Sequence, residues 1–372
     1  MIKLSIITIN YNNVEGLRKT LASVAAQTYP NIEHIIVDGN STDGSVDVIR
    51  EYESTLASRH SPFASSLKWL SEPDKGIYNA MNKGIEIALG RRVVNSFNRS
   101  ELVEDKNKGI EIALGKRVVN NDHTSSPLAS SLSPLASKEY IQILNSGDIL
   151  AAPDVTERMV VALQQCNSTA NSVSDLQQAE RAIYSENSER STASKTSDLQ
   201  NWFPILYGNM IKEWPDGKRV KDTCGGGDYT PDSFYYFYRG TLNHDCAYIR
   251  KDLFEKYGLY NEEMKICSDW EWYVRAIVLG GEKIVYTNID VTIFDMTGIS
   301  ESDGKNRELM QKERREYLES VLPAAVLRDY DMLSLPIEQY RRLKKYHLWG
   351  VVYFVERVFF KFEKWGNKLK RK

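Results

Sequence analysis

Short β-branched runs alternate with amphipathic helical stretches along the first ninety or so residues of the chain. The strand candidates are Leu4–Ile9, Glu33–Val37 and Leu67–Leu70, with helical spacing of apolar residues between them and over Ile77–Leu89. Strands that alternate with helices are typical of βαβ units, whose strands pair in parallel. The pattern therefore predicts an α/β fold built on a central sheet.

A hairpin signal makes that sheet mixed. Leu206–Ile211 and Lys218–Lys221 flank Trp214-Pro215-Asp216-Gly217, where proline presets φ and glycine admits a positive φ. Separate strands are predicted near Lys283–Tyr286 and Val291–Phe294, and a charged helix over 303–322 before Pro323 and Pro336 break the chain.

Two segments have the character of insertions into this domain. Asn82–Asn95 recurs with one change at Asn107–Asn120, and two copies are too few for a repeat protein. We interpret Arg91–Ser137 as largely inserted sequence. Gln164–Asn201 is rich in Ser, Asn, Gln and Thr, which predicts a second surface insertion.

Charge and cysteines constrain the setting. The 372 residues carry 48 Lys and Arg against 50 Asp and Glu, and this near balance indicates no nucleic-acid partner. The four cysteines lack any close-paired spacing, so neither a zinc site nor a disulfide scaffold is predicted. No signal-peptide pattern opens the chain. We therefore expect a cytoplasmic protein.

Polar residues follow two of the predicted strands. Asp38 ends the run Ile35–Val37 and leads into a segment rich in Gly, Asn, Ser and Thr, while Asn145 and Asp148 follow Tyr140–Leu144. Ligands of open α/β sheets bind outside the carboxyl ends of strands, and such oxygen ligands suit Mg²⁺ or Mn²⁺. The segment after Asp38 is also a plain turn sequence, so both interpretations stay open there.

A third candidate is Asp269, in Ser268-Asp269-Trp270-Glu271. Ser268 and Glu271 have the spacing of a capping box at a helix start, whereas Asp269 is placed to act as a general base, and the two interpretations are compatible. The neighbouring pair His244-Asp245 is either structural or functional.

Together these motifs resemble family 2 glycosyltransferases over about residues 1–300, apart from the two insertions. The matching segments, in the family's order, are Ser5–Asn12, Val37–Ser45, Glu72–Gly84, Leu144–Asp148 and Ser268–Glu271.

The resemblance implies a GT-A fold, with a nucleotide-binding α/β domain over residues 1–300 and a helical extension over 301–372. Asp38 would contact the uracil or ribose of a nucleotide-sugar, with Thr8 and Tyr11 lining that pocket, and Asp74 would hold the nucleoside side of the donor. Asp148 stands where the metal-bridging Asp-x-Asp motif ends.

Asn145 or Ser146 replaces the first acid of that motif, so Mn²⁺ or Mg²⁺ would rest on Asp148, diphosphate oxygens and water. Asp269 stands where the family's catalytic base is expected. The resemblance thus implies inverting transfer of a sugar, with a UDP-sugar as the expected donor, to a glycan or lipid-linked acceptor in bacterial polysaccharide synthesis. The alternatives are a catalytically impaired nucleotide-sugar-binding protein and a related-fold nucleotidyltransferase.

The end of the chain differs from the body in charge. From Arg341 onward eleven basic and two acidic residues give +9, which leaves −11 for the rest of a chain with net charge −2. Leu348, Val352, Val355 and Phe359 share a helical face, in a run too short to span a bilayer. The pattern indicates peripheral contact with a membrane, or a helix packed on the body or on a second subunit.

Overall fold

The structure is a computed structural model, and it describes residues 1–58, 66–94, 138–169, 203–224, 231–296 and 304–369. The chain divides into two compact units, residues 1–306 and 307–372. Most of the two predicted insertions lies outside the described residues. The helix that precedes the second one continues through Gln164 to Thr169, so the first residues of that predicted insertion are helical. Leu163 of that helix is fully buried and so holds the helix against the core.

The described part of the first unit alternates strands and helices as the sequence predicts. Its strands are β1 (Lys3–Asn10), β2 (Ile32–Asp38), β3 (Leu67–Ser71), β4 (Glu139–Asn145), β5 (Ile149–Leu150), β6 (Ile205–Glu213), β7 (Arg219–Asp222), β8 (Ala247–Arg250) and β9 (Ile284–Asp295). Its helices are α1 (Val14–Ala25), α2 (Ser45–Ser58), α3 (Ile77–Ala88), α4 (Val155–Thr169), α5 (Phe234–Arg239), α6 (Asp252–Tyr257) and α7 (Ser268–Tyr273), with a 3₁₀ turn at His244–Cys246.

These strands form one mixed sheet in the order β3-β2-β1-β4-β8-β6-β9-β5, with β7 paired to β6. Strands β1 to β4 run parallel, whereas β8 is antiparallel to both β4 and β6. The α/β class and the mixed sheet are thereby confirmed. The two strands predicted between Lys283 and Phe294 are one strand, β9, which pairs with β6 across a register shift. That irregularity lets one strand continue where the sequence pattern is interrupted.

Opposite faces of β1 pack against different helices. Ile36 of β2 belongs to a buried cluster with Leu17 of α1 and Val48 of α2. On the other face, α3 approaches so closely that a Cβ on Gly84 would overlap the Cγ2 of Ile7. Because side chains alternate along a strand, Thr8, next to Ile7, is directed to the α2 side.

Strand order brings the polar strand ends together. The register sets Asn10 of β1 beside Asp38 of β2, and Ile9 beside Asn145 of β4. The carboxyl ends of β1, β2 and β4 therefore form one continuous edge.

The described residues of the second unit are helical. After α8 (Gly304–Val321) come α9 (Ala324–Lys345) and α10 (Trp349–Leu369). The helical extension is confirmed, but Pro336 lies inside α9 and does not break it. Proline removes one backbone hydrogen-bond donor, and a helix of 22 residues can continue past it because its other backbone hydrogen bonds remain. None of the helices within the described ranges is both long and apolar enough to cross a bilayer.

Candidate active site

Asp38 organises the end of β2 from a fully buried position. Its Oδ1 accepts hydrogen bonds from Asn10 Nδ2 at 2.8 Å and Ser41 Oγ at 2.6 Å. Its Oδ2 accepts from the Ser41 backbone N–H at 2.9 Å and Ser71 Oγ at 2.6 Å. A carboxylate accepts about four hydrogen bonds, so the protein itself uses this capacity. The segment is therefore a tightly bonded turn, and direct contact between Asp38 and a nucleoside would require one of these donors to move.

Thr8 does not reach this edge. Its side chain is fully buried on the α2 side, where the hydroxyl lies 3.0 Å from His34 Nε2. The other ring nitrogen of His34 lies 3.0 Å from the Tyr52 hydroxyl, and burial lowers the pKa of His34 to about 3. Thr8 thus belongs to a neutral hydrogen-bonded chain inside the core. In this structure its side chain does not line the predicted pocket.

Tyr11 and Asp74 both lie beside Gly39, just beyond the end of β2. Tyr11 is 66% exposed, and Asp74 Oδ1 accepts from the Gly76 N–H at 2.9 Å. A Cβ on Gly39 would overlap Asp74 Oδ2 and crowd the Tyr11 ring, so glycine at this position lets both side chains close over the strand end. An exposed aromatic ring beside a carboxylate is a suitable surface for a base and a ribose.

The turn after β4 holds Asp148 from three sides. Gly147 has a φ of 111°, which only glycine adopts readily. The Thr20 hydroxyl of α1 accepts from the Gly147 N–H at 3.0 Å and donates to the Asp148 carbonyl at 2.7 Å. Asp148 Oδ1 accepts from the backbone N–H of Asp295 in β9 at 3.0 Å. Elements far apart in sequence therefore fix this carboxyl group.

The surroundings of Asp148 are strongly acidic. Burial and, to a smaller extent, the nearby carboxylate of Asp245 together raise its pKa to about 8, against the opposing effects of the Asp295 N–H and His244. Burial also raises the pKa of Asp245, whose Oδ2 accepts from Thr292 at 2.8 Å. Negative potential concentrated at a strand edge is favourable for a cation.

The donor set at this edge fits a hard divalent ion in part. Asp148 supplies a carboxylate of the type that Mg²⁺ and Mn²⁺ prefer. Within the described ranges, no group of three or more His, Cys, Asp or Glu side chains is arranged to hold a metal. An ion bound at Asp148 would thus take its remaining ligands from a substrate and from water.

Asp269 lies near the start of α7 and is 15% exposed. Its Oδ2 is 3.3 Å from His244 Nδ1, and its Oδ1 is 3.0 Å from the Tyr78 hydroxyl. Burial acts to raise the pKa of Asp269, but hydrogen bonds from His244, the Trp270 N–H and Tyr78 lower it overall. The carboxylate is therefore held ionised in a mostly buried position.

His244 connects this carboxylate to the end of β4. Burial acts to lower its pKa, but the hydrogen bond and charge of Asp269 raise it overall. Its Nε2 lies 3.4 Å from Asn145 Nδ2, while Asn145 Oδ1 is buried without a hydrogen-bond partner. A half-turn of the Asn145 amide exchanges its nitrogen and oxygen, so that Oδ1 accepts from a protonated Nε2. Asn145, His244 and Asp269 then form one connected chain of polar contacts.

Helix α3 holds the segment that leads to Asp269. Asn82 Nδ2 donates to the Tyr260 carbonyl at 2.9 Å, and Asn82 Oδ1 accepts from the Tyr260 N–H at 3.0 Å. Asn79 Nδ2 donates to Glu262 at 2.8 Å. The Tyr78 hydroxyl is also 2.6 Å from the Ile266 carbonyl. The helix after β3 thus positions residues 260–269 through these contacts and the contact of Tyr78 with Asp269.

Sequence reasoning was wrong about the capping box and silent on Tyr78. The N-cap of α7 is Cys267, so Ser268 is the first helical residue, and its buried Oγ has no hydrogen-bond partner. Glu271 instead pairs with Arg275 at 2.9 Å. Because Tyr78 lies within the Glu72–Gly84 motif, the sequence could have marked it as a candidate. Its partner Asp269, however, is 191 residues away. His244, whose role the sequence leaves open, lies 3.3 Å from Asp269.

Comparison with known proteins supports the family resemblance over the N-terminal part. Residues 5–96 match the sequence profile of glycosyl transferase family 2. The uncharacterized glycosyltransferase Rv1514c of Mycobacterium tuberculosis is 44% identical over 87 residues, which are 23% of this chain and 29% of that protein. The putative teichuronic acid biosynthesis glycosyltransferase TuaG of Bacillus subtilis is 37% identical over 89 residues, which are 24% and 32% of the two chains. The chain thus spans less than a third of the length of these relatives.

Among solved structures, Staphylococcus aureus TarS 1–349 in complex with UDP-GlcNAc aligns with a TM-score of 0.48 at 14% identity, covering 87% of this chain and 69% of that one. The likeness to glycosyl transferase family 2 thus extends over residues 5–96 of this chain, the part that matches the family profile.

Proposed function

We propose that this protein is an inverting glycosyltransferase that moves a sugar from a nucleotide-sugar, with UDP as the expected nucleotide, to a hydroxyl group of a glycan or lipid-linked acceptor. The observation that carries the proposal is the contact chain Asn145–His244–Asp269. It joins an ionised, partly accessible carboxylate to the strand edge where Asp148 lies. The relative TuaG, named for teichuronic acid biosynthesis, supports cell-surface polysaccharide synthesis as the setting.

Asp269 acts in this proposal as the general base. It removes the proton from the acceptor hydroxyl as that oxygen attacks the anomeric carbon, and the sugar–phosphate bond breaks on the opposite side. Its lowered pKa keeps it ionised at neutral pH but makes it a weaker base, so much of the rate must come from positioning. His244 and Tyr78 supply that positioning through their contacts with the carboxylate.

The donor lies along the carboxyl edge of β1, β2 and β4. Tyr11 and Asp74 form the surface for the nucleoside, while Asp38 shapes the turn beneath them through Ser41 and Ser71. A divalent ion held by Asp148 would neutralise the charge that grows on the departing diphosphate.

The first experiment screens UDP-, GDP- and dTDP-sugars, with and without Mn²⁺, for thermal stabilisation and for release of the nucleoside diphosphate. We expect a UDP-sugar to stabilise the wild type in a Mn²⁺-dependent manner, and slow hydrolysis that Asp269→Asn abolishes while binding persists. Release of pyrophosphate from a nucleoside triphosphate and a sugar phosphate would instead identify a nucleotidyltransferase. Binding without any turnover, in the presence of a panel of acceptors, would identify a nucleotide-sugar-binding protein.

A further inference from the structure

The last helix of the chain exposes an unusual density of large apolar side chains. Along the described part of α10, eight of these side chains are between 36% and 70% exposed; they are Val351, Tyr353, Phe354, Val355, Val358, Phe359, Phe360 and Phe362. Contiguous apolar surface of this kind on a protein marks an interaction site.

Most of these side chains lie on one side of the helix. Val351, Val355, Phe359 and Phe362 follow one another at spacings of four, four and three residues, which defines a single stripe. Phe354 and Val358 extend that stripe on one flank. We call these six residues the apolar face of α10.

Positive charge accompanies the apolar face. By their spacing, Arg357 and Lys361 border the apolar face on the side of Phe354, and the guanidinium of Arg357 stands 5.8 Å from the centre of the Tyr353 ring. The preceding helix, α9, carries Arg342, Lys344 and Lys345 in its last turn. From Arg341 to the end of the chain the net charge is +9.

This combination selects the occupant of the apolar face. A second copy of the helix would bring another +9 segment into contact, which Coulomb repulsion opposes. The described part of this helix is not both long and apolar enough to cross a bilayer. An anionic lipid surface satisfies both features, because acyl chains accept the aromatic stripe and anionic headgroups attract the basic side chains.

We propose that α10 is an interfacial helix that attaches this protein to anionic lipid bilayers, with the apolar face directed to the acyl chains and the basic residues among the headgroups. The attachment is peripheral and reversible. It would place the protein at the surface where lipid-linked molecules are found.

The test uses the full-length chain and vesicles of phosphatidylcholine with or without about one-third phosphatidylglycerol. Sedimentation at low salt should bring down most of the protein with anionic vesicles and little with neutral ones, and about 0.5 M salt should weaken binding at least tenfold, since the Debye length then falls well below 10 Å. The triple variant Phe354→Gln, Phe359→Gln, Phe362→Gln should lose binding at every salt concentration. Arg357→Gln with Lys361→Gln should weaken it at low salt.

The matched control changes exposed apolar residues of α9, outside the proposed surface. Met332, Leu333 and Leu335 are 65%, 51% and 60% exposed, so changing all three to glutamine also removes three exposed apolar side chains, and vesicle binding should persist. The same circular dichroism melt for all variants would show that they fold.

Failure of the wild type to bind anionic vesicles at low salt, or equal loss in the α9 control, would overturn the proposal. The apolar face would instead be assigned to a second copy if the wild type formed a dimer in sedimentation velocity and did not bind vesicles, and if only the triple phenylalanine variant dissociated that dimer. No donor or acceptor enters this test, so its outcome is independent of the proposed function.

Discussion

Removing the Tyr78 hydroxyl should destabilise the protein more than removing an ordinary buried tyrosine hydroxyl, because it donates to two acceptors, the Ile266 carbonyl and the charged carboxylate of Asp269. Tyr78→Phe keeps the ring, which packs against Tyr260 at 5.8 Å between centroids, and removes only the hydroxyl, which lies 2.6 Å from the Ile266 carbonyl and 3.0 Å from Asp269. Burial and the charge of Asp269 raise the pKa of Tyr78 well above its usual value, so the hydroxyl remains a donor. Hydrogen bonds to charged groups contribute about 1.5–3 kcal/mol. We expect the free energy of unfolding to fall by about that amount.

Tyr52→Phe is the matched control. Tyr52 is also buried, and its hydroxyl lies 3.0 Å from the uncharged His34, a contact for which about 0.5–1.5 kcal/mol is expected. Urea unfolding followed by tryptophan fluorescence measures both losses. In the transfer assay, Tyr78→Phe should lower kcat about tenfold, equivalent to ~1.4 kcal/mol, with the donor KM unchanged, and Tyr52→Phe should leave kcat unchanged. Equal destabilisation by the two variants together with wild-type kcat for Tyr78→Phe would refute the positioning role.

Three further outcomes are expected. Asp269→Asn should reduce turnover by at least about a hundredfold while calorimetric donor affinity is kept, because an amide cannot accept the proton; near-normal turnover would exclude the base role. The native pKa of Asp148, about 8, lies above its value in the unfolded chain, so the native state binds more protons than the unfolded state between about pH 4 and 8. The metal-free protein should therefore lose stability as pH rises through that window. Asp148→Asn should flatten this slope in urea unfolding from pH 5 to 9, and an unchanged slope would assign it to other groups. Gly84→Ala should cost about 1–3 kcal/mol because its Cβ overlaps Ile7, whereas Gly350→Ala, with open space around it, should not destabilise; equal thermal midpoints for the two variants would contradict the close packing of α3.

The parts of the site that could be predicted from sequence are those set by local pattern. Periodicity located the strands and helices, and the parallel arrangement of βαβ strands is enough to bring the ends of β2 and β4 to a common edge. The sequence pattern therefore predicted correctly that Asp38, Asn145 and Asp148 lie at strand ends. It did not predict which side chains each of them contacts. Family resemblance added the expectation for Asp269, whose place among its neighbours has no local signal.

The chain's own pattern determined the βαβ order, the acidic strand ends and the charged, aromatic last helix, because each depends on residues close together in sequence. Tertiary structure alone decided that Thr8 is directed into the core, since the face of a strand residue depends on which helix covers that face. It also decided that Asp38 has its hydrogen-bonding capacity filled by Asn10, Ser41 and Ser71. The meeting of Tyr78, His244 and Asp269 depends on how α3 docks against the segment before α7. Such contacts, between residues up to 191 positions apart, follow from strand order and helix packing, which local sequence periodicity does not encode.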